Sequence, residues 1–151
     1  MKRKSIANMQ DPKCVFCSIV AGKIPANVII QDESAMALLD AFPLAAGHSM
    51  VISKSHFRKI QDLESKQAAA LFEMVRKVAS AVEEAMQTGG TLISIHNGSE
   101  AGQEIPHVHV HIIPRNATDG AGPVQSMFKK RPKPGESELN SLSSKISARL
   151  R

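Results

Sequence analysis

Apolar residues come first in short runs along this chain and then in one long periodic stretch. Cys14 to Ala21 is a short segment closed by Gly22, and Pro25 breaks any helix there. Val28, Ile29 and Ile30 centre a run from Asn27 to Gln31 that reads as a strand. Asp32 and Glu33 make a turn, and Ala35 to Leu39 reads as a second strand ending at Asp40. AFPLAAGH, with Pro43 and Gly47, reads as a loop. Met50, Val51 and Ile52 carry a third strand over Ser49 to Ser53.

The period then changes. Leu71, Met74, Val75, Val78, Val82, Ala85 and Met86 recur at steps of three and four, the spacing of one helical face. Asp62 or Ser65 is the expected cap at its start, and Gly89 and Gly90 the expected stop. Glu73, Arg76, Lys77, Glu83 and Glu84 fall on its other sides, so the stripe is expected to pack on a core. Thr91 to Ile95 reads as a fourth strand and HNGSEAGQE as a loop. His107 to Ile113 alternates histidine with valine or isoleucine and reads as a fifth strand, limited by Pro114. Residues 116–135 are linker-like in their Gly, Pro and Lys, and Ser137 to Leu150 has the pattern of a weak terminal helix. Five short strands and one long helix predict an α+β fold with a mainly antiparallel five-stranded sheet. The expected organisation is a flexible N-terminal segment (1–12), a domain over 13–115 and a basic extension over 116–151.

Composition narrows the function classes. A chain of 151 residues, 42% of them hydrophobic, suits one globular domain. No apolar run approaches the roughly 18 residues of a membrane span. The basic start MKRKSIANMQ is followed by no apolar stretch, so a secretory signal is not expected and a cytoplasmic location is. Two cysteines make no disulfide scaffold. The net charge of +5 gathers at the ends, in Lys2, Arg3 and Lys4 and in Lys129, Lys130, Arg131, Lys133, Lys145, Arg149 and Arg151. Solvated tails are the expected reading of those runs, ahead of polyanion contact. With no Trp or Tyr and five Phe, the chain is poor material for stacking nucleic-acid bases.

His107, His109 and His111 carry the strongest chemical signal. Side chains in a strand alternate faces, so the three imidazoles share one face while Val108, Val110 and Ile112 point to a core. Three buried imidazoles each need a partner, which packing alone does not explain. Cys14 and Cys17 form a Cys-x-x-Cys pair that reads as half a zinc site, a redox pair or coincidence; two histidines would complete a tetrahedral site. In the loop before the histidines, Gly98 and Gly102 allow close backbone approach, and Asn97, Ser99 and Gln103 supply neutral polar groups. A GxxxxGK[ST] loop and a carboxylate cluster for magnesium are both missing from the sequence, which leaves a nucleophilic histidine as the means of cleaving a phosphate bond.

GQEIPHVHVHIIPR resembles the signature of the histidine-triad (HIT) superfamily, and NGSEAGQ and GHSMVISKSH resemble its other characteristic blocks, over about Cys14 to Arg115. The loop is most similar to the fragile-histidine-triad and bacterial hydrolase branches. The resemblance implies an α+β domain over 13–115 that pairs as a homodimer through a continuous sheet. It implies a nucleotide hydrolase or transferase acting on dinucleoside polyphosphates or related adenylylated compounds. His109 would attack the α-phosphorus to form a nucleotidyl-histidine, and His111 would hydrogen-bond the phosphate. Gln103 and Asn97 would position the phosphate with Ser99 nearby, Asp40 would bind the ribose hydroxyls, and His48 would support the triad from behind. A structural zinc would sit on Cys14, Cys17, His56 and His107. Glu104 stands where many members carry Ser or Thr; pointing inward, it would repel a polyphosphate leaving group and favour a less anionic or amine one. Other readings within the superfamily are a nucleoside phosphoramidase, a nucleic-acid deadenylase favoured slightly by the basic tails, and a non-catalytic nucleotide-binding dimer. A zinc-stabilised structural module would leave His109 and His111 idle.

Overall fold

The computed structural model describes residues 10–150. Lys2, Arg3 and Lys4, and most of the expected N-terminal segment (1–12), lie outside the described residues. The chain divides into two compact units, Met1–Thr118 and Asp119–Arg151. In the first, the elements run α1 (Val15–Val20), β1 (Val28–Gln31), β2 (Ala35–Leu39), β3 (Ser49–Ser53), α2 (Ser65–Met86), β4 (Gly90–Ser94) and β5 (His109–Arg115), with 3-10 turns at Ile60–Asp62 and Ser99–Ala101. The second holds a 3-10 turn at Val124–Met127 and α3 (Glu136–Ser147). Among the described residues, no helix is long and apolar enough to cross a membrane.

The five strands form one sheet in the order β1-β2-β3-β5-β4, antiparallel at every pairing, as the α+β reading expects. Strand alternation sorts the side chains into two cores. On one face Ala35, Ala37, Val51, Val108, Val110 and Ile112 meet Leu71, Met74, Val75, Val78 and Val82 of α2. The small Ala35 and Ala37 leave room for the helix's longer side chains, and Val51, Val110 and Ile112 are wholly buried. On the other face Met36, Leu38, Met50 and Ile52 pack with Cys14, Phe16 and Cys17 around α1. The three histidines belong to this second face, so β5 lies between a helix core and a polar site.

Several boundaries differ from the sequence expectation. Glu64, not Asp62 or Ser65, caps α2, and its N–H donates to Gln67 Oε1 at 2.9 Å. Asp62 instead accepts the Lys59 N–H at 3.0 Å and closes the preceding turn. The helix ends at Gln87 in the left-handed region (φ 53°), two residues before the glycines expected to stop it. The fifth strand begins at His109 rather than His107 and runs through Pro114 to Arg115. Val108 N–H donates to Phe57 O and its carbonyl accepts from Ser53 N–H, so the even-numbered residues turn their backbone groups toward β3. Pairing with β3 ends at Ile112 opposite Ser49, so the missing N–H of Pro114 falls past the end of β3 and costs no ladder bond.

Candidate active site

β5 delivers His109 and His111, and β3 backs them. In the β3–β5 register Ile52 stands opposite His109 and Met50 opposite His111. His109 is 6% exposed, with the Phe16 ring edge-on at 5.1 Å between centroids. Its Nδ1 lies 2.7 Å from the His107 carbonyl oxygen. A carbonyl only accepts, so Nδ1 carries the proton and Nε2 keeps a bare lone pair. Burial lowers the pKa of His109 from its usual value, against the raising effect of the His107 carbonyl, and holds the ring in that neutral form.

A second chain of bonds fixes His111. Leu44 N–H donates to His48 Nδ1 at 3.1 Å, so His48 carries its proton on Nε2. That N–H points to His111 Nδ1 at 2.9 Å, which leaves the proton of neutral His111 on its Nε2. Asp40 Oδ2 stands 3.5 Å from His48 Nε2 and 3.7 Å from His111 Nδ1, and Asp40 Oδ1 accepts the Phe42 N–H at 2.8 Å. Burial, then the neighbouring His109 and His48, push the pKa of His111 down to about 4. Burial likewise lowers that of His48, opposed by the Asp40 charge. Asp40, His48 and His111 are close enough together to suggest a metal site. The proton on His48 Nε2 argues against it, because a cation there would meet an N–H rather than a lone pair.

His107 lies just before the strand and faces the other way along it. Its Nε2 donates to Ser53 O at 2.7 Å, so Nδ1 is the lone-pair atom. That atom is 3.4 Å from Cys14 Sγ and 3.6 Å from Cys17 Sγ, while His56 Nδ1 is 3.3 Å from Cys17 Sγ. All four ligand atoms lie within 4.8 Å of one another. A tetrahedral ion bonded to sulfur at about 2.3 Å and to nitrogen at about 2.05 Å holds those atoms about 3.5 Å apart, so the donor set fits such an ion in number, chemistry and spacing. Burial pushes the Cys17 thiol pKa up, a cost that a cation would reverse.

Asn97 and Ser99 are brought to the loop and not to the histidines, and Gln103 reaches the backbone of His107 but no imidazole. Asn97 Oδ1 accepts the Ile60 N–H and its Nδ2 donates to Gln61 Oε1, both at 2.9 Å. Gln103 Oε1 accepts the Gly98 N–H at 2.8 Å, and its Nε2 donates to Arg58 O at 2.8 Å and His107 O at 3.5 Å. Gly98 and Gly102 adopt positive φ (110° and 86°), which this tight path needs. Ser99 is exposed and, with Lys59, Asn97, Gly98, Glu100 and Ala101, lines an open depression of about 460 Å³ that excludes the triad. Glu104 is exposed.

One imidazole near the triad escaped the sequence reading. His96 follows β4, its ring centroid 5.6 Å from that of His111 at 61°. Its position bears on the pKa values of both His109 and His111. The signal lies in the register: Ser94, the last residue of β4, stands opposite His111, and continuing that alternation two residues past the strand brings His96 to the side of His109. That relation needs the β4–β5 pairing, which the sequence alone does not provide.

A model of the HIT domain matches residues 21–118. The crystal structure of a HIT-family protein from Bacillus subtilis is 36% identical and superposes with a TM-score of 0.82, covering 92% of this chain and 98% of that one. A zinc-bound histidine-triad family protein from Mycobacterium smegmatis is 32% identical, with a TM-score of 0.69 over 90% of this chain and 97% of that one. The adenylylsulfatase HINT3 of Arabidopsis thaliana is 35% identical over 106 residues, which are 70% of this chain and 54% of that protein.

Proposed function

The chain belongs to the HIT family, and on that premise we propose that it is a nucleotidyl hydrolase of adenylylated compounds, dinucleoside polyphosphates among them. The observation that carries this reading is the pair of tautomers: a lone pair on His109 Nε2 beside an N–H on His111 Nε2. The first is a nucleophile for the α-phosphorus, and the second is a donor for the phosphoryl oxygens as charge develops there. His109 Nε2 bonds to phosphorus, the bond to the leaving group breaks with its electron pair, and water then releases the nucleotide and restores the imidazole. Asp40, at the edge of this cluster, accepts from the ribose hydroxyls, and His48 orients His111. Gln103 and Asn97 act on the phosphate indirectly, by holding the loop. The similarity to an adenylylsulfatase supports an adenylylated substrate. A phosphoramidate with an amine leaving group is the second reading; Glu104, whose carboxylate would favour it from inside the site, is exposed.

Two further features accompany the activity. Cys14, Cys17, His56 and His107 hold a structural zinc, a reading supported by the fit of the donor set and by the zinc-bound relative. The metal would tie α1 to the start of β5 and supply no chemistry to the reaction. The second is a homodimer that continues the sheet: β4 is an edge strand, and Ile93 is exposed on it. Sedimentation at micromolar concentration tests it; a monomer there removes it.

The deciding experiment is product analysis. Wild-type and His109→Ala protein meet diadenosine polyphosphates, adenylylsulfate, an adenosine phosphoramidate and a 5′-adenylated oligonucleotide. AMP released by wild type alone supports the mechanism, and the preferred compound identifies the leaving group. Equal turnover by the variant overturns it.

A further inference from the structure

We propose that residues 10–13 form a strap that retains the metal of the Cys14–Cys17–His56–His107 site, with Asp11 as its positioning residue, through an N–H donated to Cys17 Sγ. The inference rests on the reading that this cluster holds a structural zinc.

It begins with a turn. Asp11-Pro12-Lys13-Cys14 has the form of a β-turn, with Asp at its first position and Pro at its second. The Cys14 N–H donates to Asp11 O at 3.0 Å, and the Lys13 N–H donates to Asp11 Oδ1 at 2.9 Å. Both acceptors of the turn therefore belong to Asp11. They hold that residue's backbone in place, and its own N–H donates to Cys17 Sγ at 3.4 Å. A carboxylate ahead of the first cysteine thus aims a backbone donor at the sulfur of the second.

The other end of the strap is tied as well. Gln10 Nε2 donates to Lys54 O at 2.8 Å. Lys54 directly follows Ser53, whose carbonyl accepts from His107 Nε2, and stands two residues before His56. The strap is anchored at one end between the supports of the two histidines and runs at the other into Cys14.

Its position is over the sulfur. Cys14, Cys17 and His107 are buried. Cys17 lines a small cavity of about 170 Å³ whose wall includes Gln10, Asp11 and Pro12 of the strap and Ser18 of α1. That cavity gives a competing ligand access to Cys17, and the strap bounds it. Release of a metal from such a site starts when one sulfur leaves the ion and takes up a proton. An N–H already directed at Cys17 Sγ favours the anionic sulfur over the protonated one and keeps it in place. The strap therefore slows the first step of release without touching the triad.

The test follows transfer of zinc from the full chain to an excess of chelator, for wild type, Asp11→Ala, Asp11→Asn and Gln10→Ala. Asp11→Ala removes the carboxylate that holds the turn and is expected to release zinc about tenfold faster, at the low end of what losing an orienting partner of a metal ligand does. Asp11→Asn keeps an oxygen acceptor for the Lys13 N–H and is expected to stay within about threefold of wild type. Gln10→Ala frees the far end of the strap and is expected to fall between them. Cobalt(II) in place of zinc reads the sulfur directly. Loss of the N–H makes Cys17 a stronger donor, so the sulfur-to-cobalt charge-transfer band of Asp11→Ala is expected at longer wavelength than in wild type. Equal release rates in wild type and Asp11→Ala overturn the proposal. So does a melting temperature that Asp11→Ala lowers by the same amount with and without zinc, because the turn would then serve the fold alone. Wild type that takes up neither zinc nor cobalt defeats the structural-zinc reading and this inference with it, whereas zinc held but released at equal rates defeats this inference alone.

Discussion

The His48 Nε2–H points at His111 Nδ1 over 2.9 Å, and its direction is set by the backbone N–H of Leu44, which fills the other nitrogen of the His48 ring. Removing His48 frees His111 to put its proton on Nδ1 and face the phosphate with a lone pair. His48→Ala is therefore expected to lower kcat by about 10- to 100-fold, in the manner of a lost orienting partner. KM should change less, because the groups proposed to hold the nucleotide remain. Steady-state kinetics on the best substrate checks this; an unchanged kcat would detach His48 from the mechanism.

Acid is expected to destabilise the fold through the same pair. The folded pKa of His111 is depressed, to about 4, and that of His48 is lowered too. In the unfolded chain both imidazoles take up protons near pH 6.5, whereas the folded site resists doing so. Their contribution to stability is present above about pH 6.5 and is lost as pH falls from there toward 4. Thermal melting between pH 7 and pH 4 should show the midpoint falling less steeply in His111→Asn than in wild type. Parallel curves would contradict the assignment. Acid release of a metal affects both proteins and does not separate them.

Gly47 shapes the loop that presents His48. It sits at φ 85°, and a Cβ there would come within 2.6 Å of Met86 Cγ and 2.7 Å of its Sδ. Gly47→Ala combines backbone strain with displacement of Met86 from the end of α2. A loss of about 1–3 kcal/mol in stability is expected. Urea unfolding measures it, and a variant as stable as wild type would show that the loop relaxes freely.

The cysteine–histidine cluster predicts about one zinc per chain in protein purified without chelator. Cys14→Ser is expected to abolish most of that content and to lower the melting temperature, since α1 would lose its tie to His107. Elemental analysis beside melting curves reads both quantities. Zinc-free wild type with an unaltered melting temperature would remove the site.

Much of this geometry is legible in the sequence. The two-residue alternation of His107, His109 and His111 with valine and isoleucine was enough to place three imidazoles on one face and three aliphatics against a helix. The stripe from Leu71 to Met86 was enough to locate that helix. Relations between distant segments were not legible in composition or period. Cys14 and Cys17 find His107 only because α1 packs on the histidine face, and their partnership entered the sequence reading through family resemblance alone. His96 joins the triad only through the β4–β5 register. α2 ends short of the glycines that its pattern points to because Gln87, a residue with little preference for positive φ, closes the helix before they are reached.

The tautomer of His109, the proposed nucleophile, rests on the carbonyl of His107, a main-chain atom that every residue type possesses. A substitution at position 107 strips the imidazole from the cysteine cluster yet leaves the acceptor for His109 in place. Anchoring and activation thus sit on one residue but are separable, the first encoded by its side chain and the second by the course of the backbone. The chemistry is insulated from exchange of that side chain and exposed to anything that bends the chain at Pro106 or shifts the Gln103 amide beneath it.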